Sequence, residues 1–217
     1  MKILAFDTST YVCSVALQDG DHIRLRNQAH PMQQAMCILP MIQELLESSS
    51  LTLSQLDAIA YGCGPGSFTG LRIASSVAQG LGFVTGLPVI AVSSLAALAQ
   101  TAFLTHRWEK LLIAVDARSN QIYFATYEVN AEGYVELIGD EKILPSDQLP
   151  SARADWYGVG NGWHHDCDAS TKTSSIGLKA INSSLNLSAH AILILAQIKF
   201  ARGDWLAGAQ ALPCYLI

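Results

Sequence analysis

The sequence contains little charge, and none of it is concentrated. Asp, Glu, Lys and Arg make up 14% of the 217 residues, and the formal net charge is −5. The 13 Lys and Arg residues are scattered and form no basic run, so the electrostatic attraction that most proteins use to bind a phosphate backbone is missing. We therefore expect any contact with a nucleic acid to depend on a more basic partner.

The cysteine pattern also lacks the spacing of a disulfide framework or a zinc site. The chain has five cysteines, an odd number, and no two of them form a Cys-x-x-Cys pair. They are widely spaced, at Cys13, Cys37, Cys63, Cys167 and Cys214. This pattern favours reduced thiols that act as small buried hydrophobes, as in a cytoplasmic protein.

Membrane and export signals are not expected either. The residues Met1–Asp7 do not form a basic and then apolar leader, so we expect no signal peptide. The segment Ile73–Thr105 has no charged residue and is long enough for a membrane span. Gly80, Gly86 and Pro88 interrupt it, so it is better interpreted as helix, strand and helix in the core of a soluble fold.

What the sequence does contain is an ordered series of apolar runs. Lys2–Phe6 and two further strand-like runs open the chain, and the Asp19-Gly20 pair predicts a hairpin between the second and third. A helical period then covers Pro31–Ser48. Four more segments alternate strand, helix, strand and helix, which indicates parallel strands joined by crossover helices. They are Leu56–Gly62, Thr69–Val84, Pro88–Val92 and Ser94–Leu104.

The same succession begins again in the second half. The run Leu111–Val115 ends in Asp116, as the first run ends in Asp7, and each is followed by a strand, a turn and another strand. This weak internal duplication predicts an α/β protein of two similar lobes, residues 1–105 and 106–217. A last helix is predicted over Ser188–Ala201.

The most distinctive motif is the glycine-rich turn Gly64–Arg72, which follows a strand and opens a helix. Free backbone amides at such a place favour an anion, but no Lys follows Gly70, and the motif matches neither the phosphate loop nor the dinucleotide fingerprint. A turn that needs glycine for conformation alone is the simple alternative. Phe68, expected on a loop, and Arg72, in the first helical turn, favour a contact with another protein.

The helix after this turn carries a strip of small residues, Gly70, Ala74, Ala78 and Gly82, beside an apolar ridge. The strip predicts close packing, either on a helix of another subunit or on the chain's own Pro31–Ser48 helix. The candidate interface residues are Gly64, Pro65, Gly66, Ser67, Phe68, Thr69, Gly70, Arg72, Ala74, Ala78, Met32 and Met36.

Four segments together resemble the TsaB family, also called YeaZ. They are the strand ending in Asp7-Thr8-Ser9, the segment Gly64–Ile73, the strand end Ala114–Arg118 and the tail Pro213–Leu216, which here is followed only by Ile217. The resemblance implies an actin-like ATPase (ASKHA) fold of two ribonuclease-H-like lobes, with mixed sheets flanked by helices.

The resemblance also implies a function. TsaB proteins act in making N6-threonylcarbamoyladenosine at position 37 of tRNAs that read codons beginning with A. They pair with the catalytic paralogue TsaD and with the ATPase TsaE, while TsaC or its relative supplies threonylcarbamoyl-adenylate. The resemblance thus implies a cytoplasmic protein that forms a homodimer when alone and meets tRNA only through the complex, with ATP and metal in the partner subunits.

Catalytic residues are not expected in this chain. The catalytic paralogue has two metal-binding histidines where this sequence has Ser94 and Leu98, and a leucine cannot bind a metal. Asp7, Thr8, Ser9 and Asp116 are candidates for a vestigial nucleotide cleft, with the two aspartates expected to face each other.

Actin-like kinases place glycine beside each such aspartate, and these segments have none. A non-catalytic scaffold is therefore predicted. An ATP-dependent phosphotransferase and a metallopeptidase-like protein are the alternatives.

Overall fold

The apolar runs of the first half of the chain form a five-stranded mixed sheet in the structure, a computed structural model that describes residues 1–29, 33–150, 155–166 and 177–216. The strands lie in the order β3-β2-β1-β4-β5. The pairs β1–β2 and β2–β3 are antiparallel, and the pairs β1–β4 and β4–β5 are parallel. The strands are β1 (Lys2–Asp7), β2 (Val12–Asp19), β3 (His22–Ala29), β4 (Ala58–Gly64) and β5 (Val89–Ser93).

Helices cover both faces of this sheet. Helices α1 (Gln34–Ser48) and α2 (Phe68–Thr85) contribute to one apolar cluster that contains Leu4 and Phe6 of β1. Side chains alternate between the faces of a strand, which explains why the central strand β1 reads as a continuous apolar run. Helix α4 (Ala189–Ala201) contacts β1 and β2, and its Ala189 amide donates to Ser14 Oγ at 2.8 Å.

The uncharged segment predicted as core divides as expected. It becomes α2, β5 and α3 (Ser94–His106), and the Ser93 hydroxyl caps α3 by accepting from the amides of Leu95 and Ala96. In the described ranges, no helix combines the length and apolarity that crossing a bilayer requires.

The second half of the chain forms another mixed sheet, in the order β11-β10-β6-β7-β8, with β9 also paired to β7. Hairpin pairs β6–β7 and β7–β8 are antiparallel, and β10 pairs parallel to β6 and β11. A cluster containing Leu112, Phe124 and Trp163 forms its core. The strands are β6 (Lys110–Arg118), β7 (Gln121–Val129), β8 (Val135–Leu137), β9 (Lys142–Pro145), β10 (Tyr157–Val159) and β11 (Ala180–Asn182).

The two sheets repeat one topology: a meander of three antiparallel strands whose first member then pairs with a parallel strand, followed by another. This repetition confirms the predicted fold class of two mixed sheets flanked by helices. One compact unit contains Met1–Ala97 and Leu187–Tyr215, and the other contains Leu98–Asn186. The lobe boundary at residues 105 and 106 stays a prediction.

Candidate functional site

The glycine-rich turn is held in place by the end of β1. Ser67 N donates to the Ser9 carbonyl at 2.9 Å, and Ser67 Oγ caps α2 by accepting from Gly70 N at 3.4 Å. Gly64 has a φ of +122°, and a side chain there would meet the Cys214 carbonyl oxygen at 2.4 Å. Glycine at position 64 is thus required both for backbone conformation and for close packing.

The predicted strip of small residues lies inside its own unit and is not part of the exposed surface. Ala74 and Ala78 have no exposed area, and Gly70 and Gly82 are buried. A Cβ at Gly70 would lie 2.0 Å from the Thr8 carbonyl oxygen, and one at Gly82 would lie 2.7 Å from the Val89 side chain. Gly70, Ala74 and Ala78 therefore position α2 on the first sheet, and their assignment to a partner interface stays a prediction.

Other predicted interface residues reach the surface. Phe68, Thr69 and Arg72 of α2 are exposed, as are the N-cap residue Ser67 and Met36 of α1, whereas Gly64 and Pro65 are buried and Gly66 is half-buried. Met32 lies outside the described residues. Phe68, Thr69 and Arg72 border an apolar groove between α1 and α2, called the α1–α2 groove below, of about 450 Å³. Its lining consists of Ala35, Ile38, Leu39, Phe68, Thr69, Arg72, Ile73, Ser76 and Val77.

Phe68 and Arg72 form a stack at one end of the α1–α2 groove. The sequence predicted that Phe68 lies on a loop, but it is the first residue of α2. The Arg72 guanidinium lies 3.8 Å from the centre of the Phe68 ring, and that ring lies 5.9 Å from the ring of Tyr215. A cation–π contact offsets the unfavourable helix dipole at Arg72. Sequence reasoning missed Tyr215, since only the fold brings the tail to α2.

The polar residues at the end of β1 satisfy one another within the first unit. Asp7, Thr8 and Ser9 are buried, with 3% exposure or less. Asp7 Oδ1 accepts from Ser9 N at 2.9 Å, and Ser9 Oγ lies 2.9 Å from both carboxylate oxygens and 3.3 Å from Ser94 Oγ. Thr8 Oγ1 donates to the Gly70 carbonyl at 2.6 Å. The glycine at position 62 is needed here, because a Cβ would lie 1.9 Å from Asp7 Oδ2.

Burial raises the pKa of Asp7 from 3.8 to about 6, although hydrogen bonds from Ser9 and Thr10 oppose the shift. Between these two values the folded state holds a proton that the unfolded state has lost. The contribution of this group to the free energy of unfolding therefore falls as the pH rises from about 4 to 6, by about 3 kcal/mol in all.

Because asparagine cannot ionise, we expect the Asp7→Asn variant to keep this part of its free energy of unfolding as the pH rises. Relative to the wild type, the variant should gain about 3 kcal/mol of unfolding free energy between pH 4 and pH 6.5, as measured by urea unfolding at a series of pH values. Asp116→Asn is the matched control, because its carboxylate is exposed. Parallel stability curves for the wild type and Asp7→Asn would contradict the burial effect.

Asp116 lies two residues before the end of β6, the first strand of the second sheet, and its environment differs from that of Asp7. Its side chain is exposed, its Oδ1 accepts from Arg118 N at 2.9 Å, and its own amide donates to Asn161 Oδ1 at 3.0 Å. That Asp7 and Asp116 face one another stays a prediction.

The two residues predicted to align with metal-binding histidines of the catalytic paralogue are buried. Ser94 and Leu98 are 4% and 6% exposed. No group of three or more His, Cys, Asp or Glu side chains able to hold a metal ion occurs in the part of the chain that the structure describes.

These features define a class: an α/β protein of two mixed sheets that repeat one topology, with a buried polar cluster at the end of its first strand and an exposed apolar groove between helices α1 and α2. The family model described as "TsaD: tRNA N6-adenosine threonylcarbamoyltransferase" matches residues 33–185. The tRNA threonylcarbamoyladenosine biosynthesis protein TsaB of Escherichia coli strain K12 is 36% identical over 220 residues, which cover all of this chain and 94% of the relative. TsaB of Haemophilus influenzae is 35% identical and covers all of this chain and 93% of its own length.

Solved structures agree with the sequence relatives. YeaZ from Pseudomonas aeruginosa is 39% identical, with a TM-score of 0.88 over 99% of each chain. A Pseudomonas aeruginosa protein described as similar to peptidase YEAZ has a TM-score of 0.90 at 39% identity, over 100% of this chain and 99% of its own. The chain belongs to the TsaB family.

Proposed function

We propose that this chain is a non-catalytic subunit required for N6-threonylcarbamoyladenosine formation on tRNAs that read codons beginning with A. Two relatives that match the whole chain are named as biosynthesis proteins for this modification. The observation that carries the proposal is the exposed, apolar α1–α2 groove. Exposed apolar surfaces of this kind are typical of sites that bind another protein, and not of sites that catalyse a reaction.

The polar residues of the chain support a role without chemistry of its own. A nucleotide-binding aspartate must reach a metal ion or a phosphate, but Asp7 has no exposed area and its oxygens accept from Ser9. Phosphate binding also requires cations or free amides, and the amide of Ser67 is used by the Ser9 carbonyl. ATP and metal are accordingly assigned to the partner subunits.

The proposed partner at the α1–α2 groove is TsaD, and a second copy of this chain takes its place when TsaD is absent. Two exposed apolar side chains line the groove, Leu39 at 53% and Phe68 at 55% exposure, and Met36 of α1 is 75% exposed. Covering them would remove a large apolar area from water, and aromatic and Arg side chains are frequent anchors of interfaces. TsaE joins the resulting complex, tRNA is bound through the complex, and the assembly works in the cytoplasm.

Two measurements on the purified chain test this proposal. Titration calorimetry with Mg-ATP should give no heat of binding at millimolar nucleotide, and light scattering with TsaD should give a heterodimer in place of the homodimer of this chain. Tight Mg-ATP binding with phosphoryl transfer would instead establish a phosphotransferase. Bound zinc or iron at one equivalent per chain, with peptide hydrolysis, would establish a metallopeptidase.

A further inference from the structure

Two hydrogen bonds connect the C-terminal tail to the end of β4. Tyr61 Oη donates to the Leu212 carbonyl at 2.9 Å, and two residues further along both segments, Cys214 N donates to the Cys63 carbonyl at 2.6 Å. The β4–β5 register shifts between Gly62 and Gly64. At such a bulge, one residue leaves the regular ladder. Here that residue is Cys63, and its carbonyl accepts the hydrogen bond from the tail.

These contacts bring two cysteines within disulfide range. With standard bond lengths, a Cys214 N to Cys63 O distance of 2.6 Å holds their Cα atoms no more than about 6.5 Å apart. Disulfide-bonded cysteines have Cα separations of roughly 4.4 to 6.8 Å. The Cα separation of the two residues therefore lies within the range that a disulfide can span.

The side chains share a neighbourhood as well. Burial raises the pKa of the Tyr61 hydroxyl, and the negative charges of the Cys63 and Cys214 thiolates raise it further. Cys214 is exposed and Cys63 is half-buried, whereas Cys13 and Cys37 are buried. Cys167 lies outside the described residues. Among the described cysteines, this pair has by far the better access to an oxidant in solution.

We propose that Cys63 and Cys214 form a dithiol modification site, which a small disulfide such as oxidised glutathione converts to an intramolecular disulfide. The exposed Cys214 thiolate attacks one sulfur of the oxidant, which forms a mixed disulfide and releases one glutathione thiolate. The Cys63 thiolate then attacks Cys214 Sγ and displaces the second glutathione thiolate. Both thiol protons end on the released glutathione, so the protein is oxidised by two electrons and the glutathione disulfide is reduced.

The cross-link has a structural consequence at the α1–α2 groove. Cys214 immediately precedes Tyr215, whose ring lies beside Phe68 at one end of the groove. Fixing Cys214 to β4 adds a covalent restraint on Tyr215 to the hydrogen bonds and the ring contact that hold the reduced tail. In a reducing cytoplasm the disulfide is a transient, redox-dependent state and not a permanent staple. The cross-link itself does not depend on the proposed function.

The test uses the full chain, incubated with graded ratios of oxidised to reduced glutathione, alkylated and mapped as non-reduced peptides by mass spectrometry. The expected product is a peptide pair joined through Cys63 and Cys214, with the loss of two hydrogen atoms. In the Cys63→Ser variant, Cys214 should instead retain glutathione. In the Cys214→Ser variant, Cys63 should stay largely reduced, and therefore be recovered alkylated, because it is less accessible to oxidised glutathione.

Circular dichroism of both variants checks that the fold is retained. The proposal is overturned if wild-type Cys214 retains glutathione while Cys63 stays alkylated. A cross-link to Cys13, Cys37 or Cys167, or between two chains, as the main product would also overturn it.

Discussion

Gly70→Ala is expected to lower the free energy of unfolding by about 3 kcal/mol or more. The added methyl would lie 2.0 Å from the Thr8 carbonyl oxygen and 3.0 Å from Ser9 Cα, and both are backbone atoms that cannot rotate away. Accommodating it requires α2 to move from the end of β1, which also strains the bond from Thr8 Oγ1 to the Gly70 carbonyl. Overpacking of this kind in a core costs about 1 to 3 kcal/mol, and more where only backbone can yield.

Gly80→Ala is the matched control in the same helix. Gly80 is exposed, and no atom lies within 4 Å of a Cβ built there. Since alanine is a better helix former than glycine, this variant should gain about 0.5 to 1 kcal/mol. Urea unfolding of both variants measures the contrast. Similar small changes at positions 70 and 80 would show that α2 does not pack on the end of β1 as described.

Leu39→Asp is expected to weaken binding to TsaD by at least about 30-fold. The Leu39 side chain lines the α1–α2 groove and is 53% exposed, so the change should leave the isolated fold intact. If TsaD covers the groove, the new carboxylate is buried without a partner in the complex, which costs about 2 kcal/mol or more. Calorimetric titration with TsaD measures the affinity, and thermal unfolding of the free variant checks the fold.

Phe83→Asp provides the control for this prediction. Phe83 is 84% exposed on α2 and does not line the groove. It carries the same kind of substitution, from a large apolar side chain to a carboxylate, on a helix of the same surface. Its affinity for TsaD should stay within a few-fold of the wild type. If Phe83→Asp abolishes binding and Leu39→Asp does not, TsaD docks near the other end of α2.

Much of the fold could be predicted from the sequence because its signals are local. Apolar runs that end in Asp7 and Asp116, together with the Asp19-Gly20 turn, predicted the hairpin strands. Gly86 was a visible break in the sequence, and it ends helix α2 with a φ of +69°. The strands β9 and β11 were missed. They have four and three residues, so their pairing depends on neighbours far along the chain and not on a period of their own.

The candidate site could be predicted only in part, for a related reason. Periodicity showed that Gly70, Ala74 and Ala78 share a helix face, but it cannot tell whether that face meets the sheet or the solvent. This face meets the sheet, because the backbone at Thr8 can approach α2 only where the helix has no side chain, as at Gly70. The stack of Phe68 with Tyr215 and the approach of Cys214 to Cys63 join residues about 150 positions apart, which only tertiary structure brings together.

The central claim is that this chain acts by docking and not by chemistry of its own. The most direct test is N6-threonylcarbamoyladenosine formation on tRNA, reconstituted with TsaD, TsaE, a TsaC-type enzyme and ATP, in the presence of the wild type, Asp7→Asn or Leu39→Asp. Asp7→Asn should support modification at the wild-type rate, because Asp7 is a buried structural group, while Leu39→Asp should reduce the rate to that measured without this chain. Loss of modification with Asp7→Asn, while its complex with TsaD still forms and Leu39→Asp stays active, would contradict the account.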